Sequence, residues 1–398
     1  MAIGGLMDTS NVPSQLDEED LRAELEIELP DSGADPYLMS ADYDPEAPEI
    51  EIIEDDDGGV VVDFDPGDMR GDSENFYENL AEEMPDRELG RIASDLLGEF
   101  DSNKSSRQEW EDTYKNGLDL LGFNYEERTS PFRGASGVTH PLLAEAATQF
   151  QAQAFNELLP SSGPVRTVVL GKDTREKQDQ AHRVKQFMNY YITNVMEDYT
   201  PDMDQMLFYL PLAGSTFKKI YYDSNLGRAV SKFVPAENLV VPYDTSDLDT
   251  CPNITQVVRM DLNDLRKKQV AGVYLDIDVI PSQGEVTSVR SELDRIDGFE
   301  PNQIDYDCTL LECHVDLDLE GYEDIGEDGE PTGIKVPYIV TISQDNSEIL
   351  SIRRNYAEDD EKKKKISYFV HYKFLPGFGF YGLGLIHTIG GLARSATS

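Results

Sequence analysis

The stretch TFKKIYYDSNLGRAVSKFV, residues 216–234, decides the fold class. It joins two runs rich in β-branched and aromatic residues through Asn225-Leu226-Gly227, and this pattern predicts a β-hairpin. Upstream of it the apolar residues recur with helical spacing, whereas downstream they mostly form strand-like runs. We therefore predict an α+β fold, with a helical region over residues 86–213 and a strand-rich region over residues 214–383.

Three helices are predicted before residue 214. The first begins near residue 86 and carries one inward-facing row, at spacings of four, four and three residues: Trp110, Tyr114, Leu118 and Leu121. The second covers residues 139–159, with Pro141 in its first turn. The third has the longest apolar row, over residues 174–199, and Pro201 is predicted to end it.

Further strands follow the hairpin, with one helix between them at residues 261–270. The strands are predicted at residues 239–241, 308–319, 336–343, 349–353 and 366–374. Residues 281–306 are polar and only weakly patterned. After a glycine-rich bend a last helix starts at Gly384 or later, and because no stop signal follows within residues 384–398, we expect the chain to be a fragment.

The N-terminal residues 1–85 are predicted to be an acidic, mostly disordered tail. Residues 1–90 hold 29 Asp or Glu against three Arg, a net charge of -26. So little apolar surface can hardly offset the ~1 to 2 kcal/mol of backbone entropy that each ordered residue costs. Ile50, Ile52 and Ile53, then Asp57-Gly58-Gly59, then residues 60–64 nevertheless predict two short strands around a turn. The tail is either an interaction element that orders on a partner or a solvating segment.

The overall composition excludes several protein classes. The net charge of -44 argues against tight binding to a phosphate backbone, which requires clustered Lys and Arg. No run approaches the ~18 apolar residues of a membrane helix, and the start of the chain lacks a signal-peptide pattern. Cys251, Cys308 and Cys313 form no even framework, so we expect no disulfides. These features favour a soluble cytosolic protein without a membrane partner.

Two loops could hold a ligand, and each has a simpler interpretation. Gly377, Gly379 and Gly382 match G-x-G-x-x-G, but no parallel βαβ unit surrounds them, so a tight strand-to-helix corner is preferred to a dinucleotide site. A second group falls at positions 1, 3, 5, 6 and 12 of a calcium-loop pattern: Asp316, Asp318, Glu320, Gly321 and Glu327. Its flanks resemble strands rather than helices, which favours an acidic hairpin turn.

The remaining polar clusters give no recognised chemistry. In a strand Cys308 and His314 share one face while Cys313 points to the other, so zinc is disfavoured. The run from Glu361 to Lys365 is interpreted as a solvated turn in preference to an anion patch. The five histidines form no H-E-x-x-H: His140, His182, His314, His371 and His387. We therefore predict no enzyme, and no catalytic, cofactor-binding or metal-ligating residues.

Several segments together resemble the portal proteins of short-tailed bacteriophages, over about residues 105–398. They are WEDTYKNGLDLLGFN (110–124), SPFRGASGVTHPLLAEAATQFQAQAFNELLPSSGP (130–164), FKKIYYD (217–223), FVPAENLVVPY (233–243) and FLPGFGFYGLGLIHTIGGLARSATS (374–398). The resemblance is to the N-terminal, wing-type part of such a subunit. Residues 386–398 resemble only the onset of its channel-lining stem helix.

The resemblance implies a structural role. Portal subunits form a ring, typically of twelve copies, at one capsid vertex of the virion, and they assemble in the host cytoplasm. Double-stranded DNA passes through the ring without sequence-specific binding. The implied partners are further copies of the chain, the terminase large subunit, the major capsid and scaffolding proteins, and tail adaptor proteins.

Two other functions remain open from the sequence. A nucleotide- or metal-dependent enzyme is suggested only by the Gly377 and Asp316 loops. An acidic phage assembly or scaffolding-type protein without a channel role is suggested by residues 1–90.

Overall fold

A computed structural model describes residues 51–54, 60–63, 76–123, 132, 137–172, 174–223, 226–279, 288–296, 307–326 and 330–397. The chain divides into two units, Met1–Met69 and Arg70–Ser398. In the first unit, strands β1 (Glu51–Glu54) and β2 (Val60–Asp63) pair antiparallel, with Ile52 opposite Val62. The two predicted strands are thus present, and the predicted turn at Asp57-Gly58-Gly59 lies outside the described residues.

The second unit is mixed α and β, as predicted. Its described helices are α1 (Asp86–Ser106), α2 (Gln108–Leu118), α3 (Leu142–Leu158), α4 (Arg175–Tyr190), α5 (Tyr199–Ala213), α6 (Leu262–Val270), α7 (Ser288–Ile296) and α8 (Leu385–Thr397). Its described strands are β3 (Ser215–Asp223), β4 (Arg228–Pro235), β5 (Leu239–Val240), β6 (Asn253–Asp261), β7 (Asp307–Leu317), β8 (Val336–Ser343), β9 (Glu348–Arg354) and β10 (Phe369–Lys373).

These strands form two antiparallel sheets. One has the order β10-β3-β4, and the other has the order β5-β6-β7-β8-β9. The hairpin predicted at residues 216–234 is β3 and β4, with Phe217 opposite Val234. Among the described residues no helix has the length and apolar character needed to span a membrane.

Each sheet has its own core. Trp110, Tyr114, Leu118 and Leu121, the row predicted to face inward, are all buried beside the three-stranded sheet. Helix α1 packs on the five-stranded sheet through Ile92, Ala93, Leu96 and Phe100.

The folded unit begins earlier than residue 86. Leu80, Ala81 and Met84 are buried against the five-stranded sheet, although the sequence places them in the acidic tail. The Asn79 side chain donates to Leu350 O (3.1 Å) and accepts from Ile352 N (2.9 Å), so it pairs with the edge strand β9. Three apolar residues among acids gave no periodic signal, and for that reason the sequence did not reveal this segment.

The prediction for the third helix was wrong at its end. Helix α4 stops at Tyr190, a π-helical turn follows over Tyr191–Val195, and α5 then begins at Tyr199. Pro201 lies in the first turn of α5, where a missing backbone N–H costs no hydrogen bond. It therefore starts a helix instead of ending one. Strand β6 and helices α5 and α7 were not predicted, whereas α6 and the other strands were.

Candidate functional site

The glycine-rich segment between β10 and α8, which we call the glycine corner (residues 375–384), is a tight strand-to-helix turn. A Cβ on Gly382 would lie 2.8 Å from Leu375 O, and a Cβ on Gly379 would meet the Tyr243 ring at 2.6 Å. Gly382 N donates to Ser215 Oγ at 2.7 Å. Because the glycines serve close packing of backbone and aromatic rings, the geometry agrees with the corner interpretation.

A buried arginine clamps this corner to the body of the unit. The Arg107 guanidinium donates to the carbonyls of Ala236 (2.9 Å), Glu237 (2.7 Å) and Leu239 (2.8 Å), and to the Tyr381 hydroxyl (3.0 Å). Its Nε lies 3.6 Å from a Glu111 carboxylate oxygen. The junction of α1 and α2, the β4–β5 connection and the corner are thereby held together by one side chain.

Aromatic stacking fixes the corner further. The Tyr381 ring stacks on Trp110 with centroids 4.7 Å apart, and Phe380 stacks on His371 at 4.6 Å. Phe378, between these anchored residues and Gly377, is fully exposed. A large apolar side chain thus projects into solvent from a segment that is held on both sides.

An acidic loop over residues 242–250 lies beside the glycine corner. Phe380 N donates to Tyr243 O at 3.2 Å, which ties the loop to the corner. The loop exposes Asp244, Asp247 and Asp249, and it contains no Lys or Arg. Hydrogen bonds from the Thr250 backbone N–H and hydroxyl hold the pKa of Asp247 below its usual value, so this carboxylate stays charged. The glycine corner that carries Phe378 is therefore joined to an acidic loop.

A second exposed apolar surface lies on α4. None of its 16 residues, all of which the structure describes, is buried. Val184, Phe187 and Met188 are exposed at helical spacing, and Phe187 exposes 61% of its surface. Val168 and Leu170 in the preceding segment expose 75% and 85%. We call these five side chains the α4 face.

The α4 face is anchored to the rest of the unit. Asn189 exchanges hydrogen bonds with Val165 through its amide, at 2.8 and 3.3 Å, and Thr167 Oγ1 donates to Ala181 O at 3.0 Å. Just beyond the helix, the Tyr191 hydroxyl accepts from Ala229 N of β4 at 2.9 Å. The helix is thus held in place while its apolar row remains in solvent.

A partly buried polar cluster joins the two sheets. Lys219 Nζ of β3 lies 2.6 Å from Glu312 Oε1 of β7, and His314 Nε2 lies 2.7 Å from the same oxygen. Burial acts to raise the pKa of Glu312, but His314 and Lys219 hold it well below its usual value. Burial lowers the pKa of His314 despite the neighbouring carboxylate, so the imidazole is neutral near pH 7. The cluster lies in an apolar sheet-to-sheet contact, and its effect is to fix the two sheets together.

The acidic segment that begins at Asp316 connects two paired strands. It joins β7 to β8, which are antiparallel neighbours. Gly321 has a positive φ of 86°, and its N–H donates to Glu323 Oε2 at 2.9 Å. Glu327 lies outside the described residues. This arrangement is an acidic hairpin turn, the interpretation that the sequence favours.

The lysine run at residues 361–365 is a turn with internal partners. Asp360 Oδ2 accepts from Lys364 N at 2.9 Å, and Lys365 Nζ donates to Cys251 O at 2.9 Å. Lys363 Nζ pairs with Asp324. Two of the four lysine side chains thus brace neighbouring loops, as a structural turn requires.

The remaining candidate ligands are dispersed. Cys313 packs in the five-stranded sheet's core with Val340, whereas Cys308 packs with Leu265 near α6. The three cysteines are buried and form no disulfide within the described part of the chain. His140 precedes α3, and His182 is exposed on α4. Over the described ranges, no group of three or more His, Cys, Asp or Glu could hold a metal ion.

No protein-family model matches the chain, and no curated protein matches it significantly. The surfaces described above are therefore the basis for inferring a function. Sequence periodicity predicted α4 but not the exposure of its apolar row, because the same pattern is typical of a buried helix face. Phe378 gave no signal in the sequence beyond its place between two glycines.

Proposed function

We propose that the chain is a subunit of a homo-oligomeric portal ring of a tailed bacteriophage, and that it forms part of the channel through which DNA enters and leaves the capsid. The observation that carries the self-assembly is the α4 face. The identity of the assembly comes from the portal resemblance of residues 105–398.

An apolar helix row that the described part of the chain leaves uncovered favours a protein partner. Burying such side chains stabilises an association by about 25 cal/mol per Å² of apolar surface removed from water. Contiguous exposed apolar patches on folded proteins mark interaction sites. Since α4 is also hydrogen-bonded to the segment before it, binding there requires no ordering of the helix, which lowers the entropic cost of association.

The charge of the chain fits a passage for DNA. At -44, a ring of such subunits would repel a phosphate backbone, so DNA could slide without being held. On this proposal the ring lies at the portal vertex of the virion. It meets the terminase large subunit, the major capsid and scaffolding proteins, and the tail adaptors.

Electron microscopy tests the proposal directly. The chain is expressed with whatever reading frame continues after Ser398, and the expected particles are rings with a central hole. A Phe187→Asp variant should shift the molar mass measured by light scattering toward the monomer. Gln186→Asp, at the neighbouring exposed position, is the matched control and should assemble normally. A wild-type protein that stays monomeric at all concentrations would contradict the proposal.

The second candidate is an acidic assembly or scaffolding-type protein. It is favoured by the -26 charge of residues 1–90. A variant lacking residues 1–69 separates the two functions. Rings that persist after this deletion support the portal subunit, whereas loss of assembly and of phage production in complementation supports the scaffolding role.

A further inference from the structure

Phe378 is the most exposed large apolar side chain of the described residues. Its neighbours are held by the Arg107 clamp, the Tyr381–Trp110 stack and the Ser215 hydrogen bond. An exposed aromatic residue on a turn whose neighbours are held is the kind of anchor that dominates protein interfaces, because little backbone entropy is lost when it binds. Phe378 is therefore suited to enter an apolar site on another molecule.

The α4 face has the properties of the complementary site. Its apolar row lies between charged residues that are mostly positive: α4 carries Arg175, Lys177, Arg183 and Lys185 against Glu176 and Asp179, so 4 − 2 gives +2. The loop beside the glycine corner, residues 242–250, carries three Asp, and Lys365 Nζ donates to Leu248 O within it at 3.1 Å, so the loop and this lysine together carry 1 − 3, which is -2. In a strongly acidic chain, a locally basic helix and an acidic loop are electrostatically complementary.

We infer that copies of the chain meet head to tail, with Phe378 and the acidic loop of one copy docking on the α4 face of the next. This inference rests on the proposed self-assembly and names the surfaces that carry it. Because the two surfaces are different, each contact leaves one of each kind free, so the contact is heterologous. Heterologous contacts close into rings when the rotation between copies divides a full turn.

Complementation between two defective variants tests the inference. Phe378→Asp removes the anchor. Phe187→Asp puts a negative charge into the apolar row of α4, where it would repel the acidic loop of the docking copy. Each variant alone should be monomeric, with association weakened at least ~10-fold. An equimolar mixture should form one joint only, between the intact anchor of the Phe187→Asp copy and the intact α4 face of the Phe378→Asp copy. The expected species is a heterodimer that grows no further.

A charge reversal tests the polar part of the contact. Arg183→Glu and Asp244→Lys should each weaken assembly at low salt and reduce the loss of assembly that added salt causes, and the double variant should recover part of both. Val270→Asp is the matched control for an exposed apolar residue changed to an acid, since it lies at the end of α6, which belongs to neither surface. Circular dichroism and thermal melting of each variant report that the fold is retained.

The outcomes separate the two proposals. If the wild type forms rings and Phe378→Asp forms them equally well, the head-to-tail surfaces are wrong while the portal function stands. The head-to-tail surfaces are also wrong if both variants are monomeric and their mixture stays monomeric. A wild-type protein that never assembles contradicts the portal function and the inference together.

Discussion

The Arg107 guanidinium donates a 3.0 Å hydrogen bond to the Tyr381 hydroxyl, which lies 274 positions later in the chain. The same hydroxyl donates to Leu239 O at 2.9 Å. Burial acts to lower the pKa of Arg107, but Tyr381, Glu111 and Glu237 raise it overall, so the guanidinium stays charged. This one residue couples the first helices to the glycine corner that carries Phe378.

Replacing Arg107 by Lys should destabilise the unit. A single ammonium cannot reach three carbonyls, a hydroxyl and a carboxylate from one position, and buried acceptors lose their donors. The expected loss in the free energy of unfolding is about 3 kcal/mol. Urea denaturation measures it. Arg91→Lys is the control, because the Arg91 side chain is 67% exposed and the loss there should be under about 0.5 kcal/mol.

The hydrogen bonds of Asn79 predict how much the edge of the five-stranded sheet contributes to the free energy of unfolding. Its amide replaces a neighbouring strand for Leu350 and Ile352, so Asn79→Ala leaves a buried N–H and C=O without this partner. The expected destabilisation is about 1 to 3 kcal/mol. Hydrogen exchange at the Ile352 amide should accelerate more than exchange in the three-stranded sheet. Asn156→Ala, at an exposed site on α3, should leave both rates unchanged, and equal acceleration in the two sheets would contradict a local edge role.

Replacement by alanine should have opposite effects on stability at Gly382 and at Gly98. Gly382→Ala places a Cβ 2.8 Å from Leu375 O and also against Gly214 O, so the corner must shift and the melting temperature should fall by several degrees. Gly98→Ala, inside α1 with nothing within 4 Å of the new Cβ, should raise stability by roughly 0.5 to 1 kcal/mol. A stabilised Gly382→Ala protein would show that close packing does not require this glycine.

The sequence predicted the elements whose pattern is local. The β3–β4 hairpin, the inward row from Trp110 to Leu121 and helix α6 follow from residue spacing alone, because adjacent side chains determine them. Pro201 was misassigned because a proline that ends one helix and a proline in the first turn of the next have the same sequence signature. Only the geometry of the preceding π-helical turn distinguishes them.

The candidate surfaces were harder to predict from the sequence. The α4 row was found, but its exposure depends on which elements pack against it, and this is a property of the tertiary fold. Phe378 lies within a motif that is familiar for phosphate binding, and the segment around it is held by Arg107 and Trp110, which are distant in sequence. Residues 76–84 were assigned to the tail because acidic residues surround the three that pack in the core, Leu80, Ala81 and Met84.

The burial of the His371 imidazole predicts that the stability of the fold decreases as the pH is lowered. Its ring packs against both Phe217 and Phe380, with centroids 4.5 and 4.6 Å away, and its Nε2 is 3.0 Å from Ser215 Oγ. Burial, assisted by the charge of Lys373, lowers the pKa of His371 to about 3. In the unfolded chain the imidazole binds a proton below about pH 6.5, whereas in the folded chain it does so only near pH 3. The unfolded state therefore gains the proton first, and stability is lost progressively as the pH falls through this window.

Denaturation between pH 7 and pH 5 isolates this contribution. Each histidine contributes up to about 1.4 kcal/mol per pH unit in this window, and Glu237 and Asp316, whose pKa values burial raises, add a background that the wild type and the variant share. His371→Phe keeps the aromatic stack and removes the proton site, so its free energy of unfolding should depend less on pH than that of the wild type. His182→Gln, on the exposed side of α4, should leave the dependence as it is. An undiminished dependence in His371→Phe would show that His314 and His387, whose pKa values burial also lowers, account for the whole effect.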